Sequence, residues 1–331
     1  RGPTIAERLV RFRDTRTLPS ASERTLPLSG RGLVGGRRVR FGIVVSSSRV
    51  RLALAMAALA GGVGCGGGVS RAPEVPDDLE RGLVLREGQR IVREPGEELV
   101  ARAELLGMHV GQLRIRLGPF CTPRGDDPEH VASTFDTAGV ARWFRRAEGR
   151  SWTQLDTETL YPVAAGFELD NSGSQRIYAL DFNASGYDFV LQTSKGGPST
   201  GTEVAIGKDR YYDAHSAFLL MRSWDAEPGE QTYFYVVLGK APWRADVRLQ
   251  ARTVVDFAGE RTPALHFKGT VHRVGLKPGE KYTPRSFEVW LTDDDRRVPI
   301  EFVGEAGFGA FRLLLEERNL HPGCFEKDVR R

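Results

Sequence analysis

The chain has 331 residues, 40% hydrophobic and 27% charged, with a formal net charge of +4. Its positive charge sits at the N-terminus: residues 1–49 hold 11 arginines, no lysine and three acids, and without residues 1–65 the chain has 35 basic and 40 acidic side chains, a net of −5. The globular part is mildly acidic and long enough for one large or two small domains, so overall charge gives no ground for a nucleic-acid partner.

Residues 1–48 read as a leader outside the fold, either an over-extended gene start or an unstructured segment. The alternative is a basic tail for nucleic acid or anionic lipid, but only Phe12 and Phe41 are there to stack on bases. Residues 49–65 have the parts of a secretory signal: Arg49 and Arg51, an apolar run from Leu52 to Ala60, and small residues leading to Cys65. The run is too short to span a bilayer, and its glycines would make a poor buried helix.

The exit Gly62-Val63-Gly64-Cys65 resembles a bacterial lipobox, which implies lipidation of Cys65 as the first residue of the mature protein. Ordinary signal cleavage near Ala60 is the alternative. Each buried methylene of such a lipid contributes about 0.8 kcal/mol to holding the domain at a membrane. Gly66 stands where an inner-membrane retention signal has Asp, so the resemblance implies outer-membrane attachment in a bacterial envelope, on the periplasmic side. An unmodified Cys65 would make the protein soluble and periplasmic.

Residues 66–76 read as a flexible tether, and Asp77–Arg90 as an irregular or short helical piece. Period-two patterns then dominate. Glu98–Leu106 and Val110–Leu117 read as strands; in the second, Leu113, Ile115 and Leu117 share one face while Gln112, Arg114 and Arg116 share the other. Phe120–Glu129 reads as a loop, Val131–Phe135 as a strand and Thr137–Ala147 as a short helix or turn. Strands are expected at Ser151–Leu155, Ala164–Leu169, Ser174–Phe182 and Tyr187–Gln192, and a loop at Lys195–Gly201.

Asp213–Trp224 is the one strong helix, capped by Asp213, with Ala217, Phe218, Leu220, Met221 and Trp224 on an apolar face. Strands follow at Thr232–Leu238, Ala245–Ala258, Ala264–Val274, Ser286–Thr292, Val298–Val303 and Ala310–Glu317. The expected fold is mainly β: one domain over 77–318, a curved antiparallel sheet or incomplete barrel wrapped around the short helix 213–224, then a C-terminal tail at 319–331.

Four separated stretches carry a resemblance. They are Leu155–Leu169 (LDTETLYPVAAGFEL), the helix Asp213–Arg222, the turn Arg261-Thr262-Pro263-Ala264, and Ser286–Glu317 with its Val-Trp-Leu strand, acidic-basic turn and Arg-x-Pro strand. In this order they resemble the bacterial domain-of-unknown-function family 3108 over residues ~90–317. The resemblance implies an exported, mostly β protein, often a lipoprotein, and no particular reaction.

Little in the sequence points to catalysis. If Cys65 is lipidated, Cys121 and Cys324 remain as a candidate disulfide in an oxidising compartment. The six histidines show no metal-ligand spacing, His266 and His272 read as part of a solvated strand face with Lys268 and Thr270, and Asp293–Asp295 reads as a hairpin turn. Ser216 cannot form a relay with its helical neighbour His215, because adjacent helical side chains point about 100° apart. No catalytic residue, metal or cofactor is expected.

Trp143, Phe144, Phe218, Trp224, Tyr233 and Tyr235 are candidates to line a groove for an apolar ligand. The preferred reading is a non-enzymatic binding or scaffold domain for an apolar ligand or an envelope protein. The alternatives are a hydrolase of envelope polysaccharide using carboxylates such as Asp156, Glu158 or Asp181, and a structural or assembly factor.

Overall fold

The computed structural model describes residues 82–85, 89–122, 125–127, 130–139, 146–194, 196–204, 210–239, 241–275, 282–306 and 309–326. The signal, Cys65 and the tether lie outside the described residues, as do Trp143 and Phe144. In chain order the first strands are β1 (Glu97–Leu105), β2 (Met108–Leu117), β3 (Phe120–Thr122), β4 (Gly125–Asp127), β5 (His130–Thr137) and β6 (Ala147–Leu155). Next come β7 (Pro162–Asn171), β8 (Ser174–Asn183), β9 (Gly186–Thr193), β10 (Gly196–Val204), β11 (Tyr211–Asp213) and the helix α1 (Ala214–Ser223). The chain continues through β12 (Gln231–Leu238), β13 (Ala241–Phe257), β14 (Glu260–Arg273), β15 (Arg285–Thr292), β16 (Pro299–Ala306), β17 (Gly309–Leu320) and β18 (Phe325–Glu326).

Fifteen strands form one sheet in the order β10-β9-β8-β7-β6-β5-β2-β1-β17-β16-β15-β14-β13-β12-β11. Every neighbouring pair in it is antiparallel except β11 with β12. Most connections are hairpins. Leu106-Gly107, Ser172-Gly173 and Ala258-Gly259 each hold two successive positive φ angles, the geometry that matches the twist of the strands they join.

The sheet stays open and rolls so that its two ends overlap. Residues 232–238 of β12 are all buried because both faces are covered. Phe234, Val236 and Leu238 join α1 in the main core, whereas Tyr233, Tyr235 and Val237 pack with Tyr211 against Ala165, Leu180 and Tyr187 of β7, β8 and β9. Side-chain packing between the two ends does what a closing ladder does in a barrel.

Aromatic rings lie over glycines directly across the ladder at Gly166/Trp152, Gly201/Phe189, Gly269/Phe287 and Gly304/Phe311. At each, a Cβ would fall 2.3–2.6 Å from the ring. Such pairs let a sheet coil tightly without leaving gaps.

The helix lies inside the roll and is buried almost all round. Its expected apolar side packs with β12–β15, while Leu219 on another side meets Leu117, Val131, Leu155 and Leu160. Asp213 caps it by accepting from the backbone N–H groups of His215 and Ser216, and the Ser216 hydroxyl closes the capping box.

Several segments differ from the sequence expectation. Phe120–Glu129, expected as a loop, contains β3 and β4, which form a three-stranded sheet with β18 from the expected C-terminal tail. Strands of two or three residues carry too little alternation to show as a pattern. Cys121 and Cys324 are disulfide-bonded within this small sheet. Lys195–Gly201 is mostly strand β10; at an edge only one ladder is needed, so Gly and Pro are tolerated.

The described part of Asp77–Arg90 is irregular. Leu83 there donates from its backbone to the carbonyl of Tyr233 at 2.6 Å and packs in the main core. His272 is buried against Asp246 at 3.2 Å, not on a solvated face. This part of β13–β14 adjoins the overlap, where Val274 packs against the tyrosine cluster. Asp293–Asp295 lies in the β15–β16 hairpin, where Asp294 accepts from Thr292 and from the backbone of Arg296 and Arg297.

Candidate functional site

Register places one inward-facing row straight across six strands: Ile115, Ser133, Ser151, Phe167, Tyr178 and Leu191. The row on one side is Leu117, Val131, Thr153, Ala165, Leu180 and Phe189, buried except for half-buried Phe189. On the other side Leu113, Phe135, Gly149 and Leu169 are buried, and the row runs on over β8 and β9 to exposed Arg176 and half-exposed Thr193. In the middle row only Ser133 is buried, and the other five side chains stay half-exposed. Water therefore reaches a furrow on the concave face, walled on both sides over β2, β5, β6 and β7 and open on one side at β8 and β9.

Phe218 on α1 is half-buried as well and packs against the same two buried clusters as Ile115. The rings of Phe167 and Tyr178 sit 6.0 Å apart along the furrow. Across the row the described side chains are apolar, aromatic or hydroxylic, with no charge.

A buried polar chain backs the furrow. Ser133 and Ser151 face each other across the β5–β6 ladder with their hydroxyl oxygens 2.6 Å apart. His215 Nε2 lies 3.0 Å from Ser133 Oγ and 3.3 Å from Ser151 Oγ. Its Nδ1 lies 2.8 Å from Thr153 Oγ1, and the Thr153 hydroxyl donates to the Asp213 carboxylate. Burial pushes the His215 pKa below its ordinary value and Asp213 offsets only part of this, so the ring is neutral at pH 7.

Asp213 also accepts from the Ser216 hydroxyl at 2.6 Å. His215 and Ser216 are thus both bound to Asp213 but not to each other, as helix geometry requires. The sequence reading missed Ser133, Ser151 and Thr153. The signal that could have found them is a polar residue on the apolar register of a strand, as Ser133 stands between Val131 and Phe135.

This arrangement lacks the parts of an acyl-transfer site. β5 and β6 each pair on both sides, so their backbone N–H groups are engaged in ladders and do not form an oxyanion hole. Among the described residues no three His, Cys, Asp or Glu side chains converge as metal ligands would. Of the carboxylates considered from sequence, Asp156 holds the β6–β7 turn by accepting from Thr159 and Glu158. The Thr159 hydroxyl and backbone hold it below the usual carboxylate range. Glu158 is exposed in that turn, and Asp181 lies opposite Ala164 on the face of β8 away from the furrow.

The candidate aromatics are spread through the molecule. Trp224 caps the helix C-terminus and packs on Phe267. Tyr233 and Tyr235 are buried in the overlap between the ends of the sheet. Of the described members of that set, only Phe218 adjoins the furrow.

Fold and site together define a mostly β protein: an open sheet rolled around one helix, with an apolar furrow on its concave side. The chain belongs to DUF3108, a family of proteins of unknown function whose model matches residues 100–316. A search of curated proteins finds no match. Similar solved structures include a β-barrel-like protein of domain of unknown function DUF1849 from Brucella abortus, at 9% identity and a TM-score of 0.47, covering 70% of this chain and 100% of that one. Another is a candidate exported protein with a YmcC-like fold from Bacteroides fragilis, at 10% identity and a TM-score of 0.29, covering 72% and 100%. Among the described residues no helix is long and apolar enough to cross a membrane.

Proposed function

We propose that this protein is a non-catalytic envelope binding protein whose concave furrow takes an apolar chain, with a lipid on Cys65 tethering it to the periplasmic face of the outer membrane. The observation that carries the binding reading is the largely half-exposed row from Ile115 to Leu191, flanked by rows that are buried over β2, β5, β6 and β7. A folded core ordinarily closes such a row, and an apolar concavity with a few placed polar groups suits a ligand. The anchoring part rests on the signal-like segment and on Gly62–Cys65.

Lipid extraction of the purified chain followed by mass spectrometry, together with titration by the fluorescent probe N-phenyl-1-naphthylamine, tests the binding reading. Saturable binding that weakens about tenfold in Phe167→Ser is expected, since about 1.4 kcal/mol of the ring's burial would be lost. Absence of saturable binding overturns it. Mass spectrometry of the mature N-terminus tests the anchor: an unmodified Cys65 makes the protein soluble and periplasmic.

A further inference from the structure

The direction of the hydrogen bonds behind the furrow selects the polar end of the ligand. This step rests on the binding reading above. Asp213 carries two hydroxyl donors, Thr153 and Ser216, and two backbone donors at the helix start. A carboxylate only accepts, so the Thr153 proton is committed to it and Thr153 Oγ1 must accept from His215 Nδ1–H. That fixes the tautomer, leaving Nε2 as an acceptor that Ser133 meets at 3.0 Å. With its proton given to His215, Ser133 accepts from Ser151 at 2.6 Å.

Every proton in the chain therefore points towards Asp213. Ser151, the half-exposed end, turns lone pairs and not a proton into the furrow. If Ser151 instead donates straight to His215 Nε2 at 3.3 Å, its oxygen still only accepts. Phe167 lies directly opposite Ser151 in the β6–β7 ladder, so an apolar chain resting on Phe167 brings its head to this oxygen.

We propose that the furrow selects amphiphiles whose head group donates a hydrogen bond, such as a long-chain alcohol, and disfavours carboxylates. A carboxylate would meet lone pairs at Ser151; the row itself carries no cation, and Arg176, in the adjoining row, stands two strands from Ser151 on β8.

The test is displacement of N-phenyl-1-naphthylamine from the full chain by dodecan-1-ol and by dodecanoate at pH 8. The alcohol is expected to compete at least about fivefold better than the acid, the value of one neutral hydrogen bond. Ser151→Ala should remove that preference, read as the ratio of the two competitors measured on the same variant, whatever the variant does to the probe's own affinity. Equal or better competition by dodecanoate overturns the proposal while leaving the furrow reading intact. Failure of the probe to bind at all overturns both. The comparison on the unaltered chain needs no variant to fold.

Discussion

Arg222, in the last turn of α1, and Glu97, the first residue of β1, form a two-pronged ion pair at 2.6 and 3.2 Å, with 1% and 0% of their side chains exposed. Arg222 also donates to the carbonyls of Arg296 and Arg297, and Glu97 accepts from Arg318 at 2.7 Å. This network fixes the C-terminal end of the helix to β1, β17 and the β15–β16 hairpin. The Asp213–His215 chain fixes the N-terminal end to β5 and β6. Between them the two ties set how deeply the helix lies in the roll, and so how much of the furrow it leaves open.

Removing Arg222 would leave Glu97 buried with Arg318 as its remaining cation. Arg222→Met is expected to cost about 3–5 kcal/mol, measured by urea denaturation. Arg222→Met combined with Glu97→Met should cost less than Arg222→Met alone, because the buried Glu97 charge, then held by Arg318 alone, is removed with it. A loss below about 1 kcal/mol in the single variant would show that the tie does not hold the helix.

Stability should fall on mild acidification because of His215. Its folded pKa is depressed by burial, whereas the unfolded chain takes up the proton near the ordinary value of about 6.5. Stability is therefore full above that pH and declines below it, by at most about 1.4 kcal/mol per pH unit until the folded pKa is reached. Asp213 is the titratable group in contact with the ring and offsets part of the loss. The urea midpoint should drop between pH 7.5 and pH 5.5, and His215→Gln should flatten that slope.

The disulfide of Cys121 with Cys324 closes a loop of 203 residues spanning most of the sheet. Replacing both cysteines by serine is expected to cost about 2–5 kcal/mol. The β3–β4–β18 sheet should lose amide-exchange protection first, since this link is its covalent tie. Uniform loss of protection across the molecule would contradict that order.

Gly166 stands where a Cβ would lie 2.3 Å from Trp152 Nε1. Gly166→Ala is expected to push the indole aside at a cost of about 1–3 kcal/mol and to shift tryptophan emission. An unchanged spectrum and midpoint would mean that the ring does not cover the glycine in solution.

Most of the fold was legible because long strands alternate with period two and one segment repeats with helical period. The alternation of Leu113, Ile115 and Leu117 gave β2 its inward face correctly. It could not show that Leu113 and Leu117 are buried while Ile115 between them is half-exposed, because exposure depends on what packs above. The overlap of β12 with β7–β9 was hidden for the same reason: Thr232–Leu238 reads as a core strand whichever sheet end covers it. The site was least legible. Ser133, Ser151 and Thr153 come from separate strands, and only the ladder register places them beside His215. The helix was expected to bury one apolar face, yet His215, Arg222 and Ser223 are buried too, because partners distant in sequence satisfy them.

The most direct test of the furrow is a crystal structure grown with a terminally brominated twelve-carbon alcohol. Anomalous bromine density is expected on the concave face along the row from Ile115 to Leu191, with the hydroxyl beside Ser151. Bromine found only outside that face, or none at saturating ligand, would contradict the furrow reading.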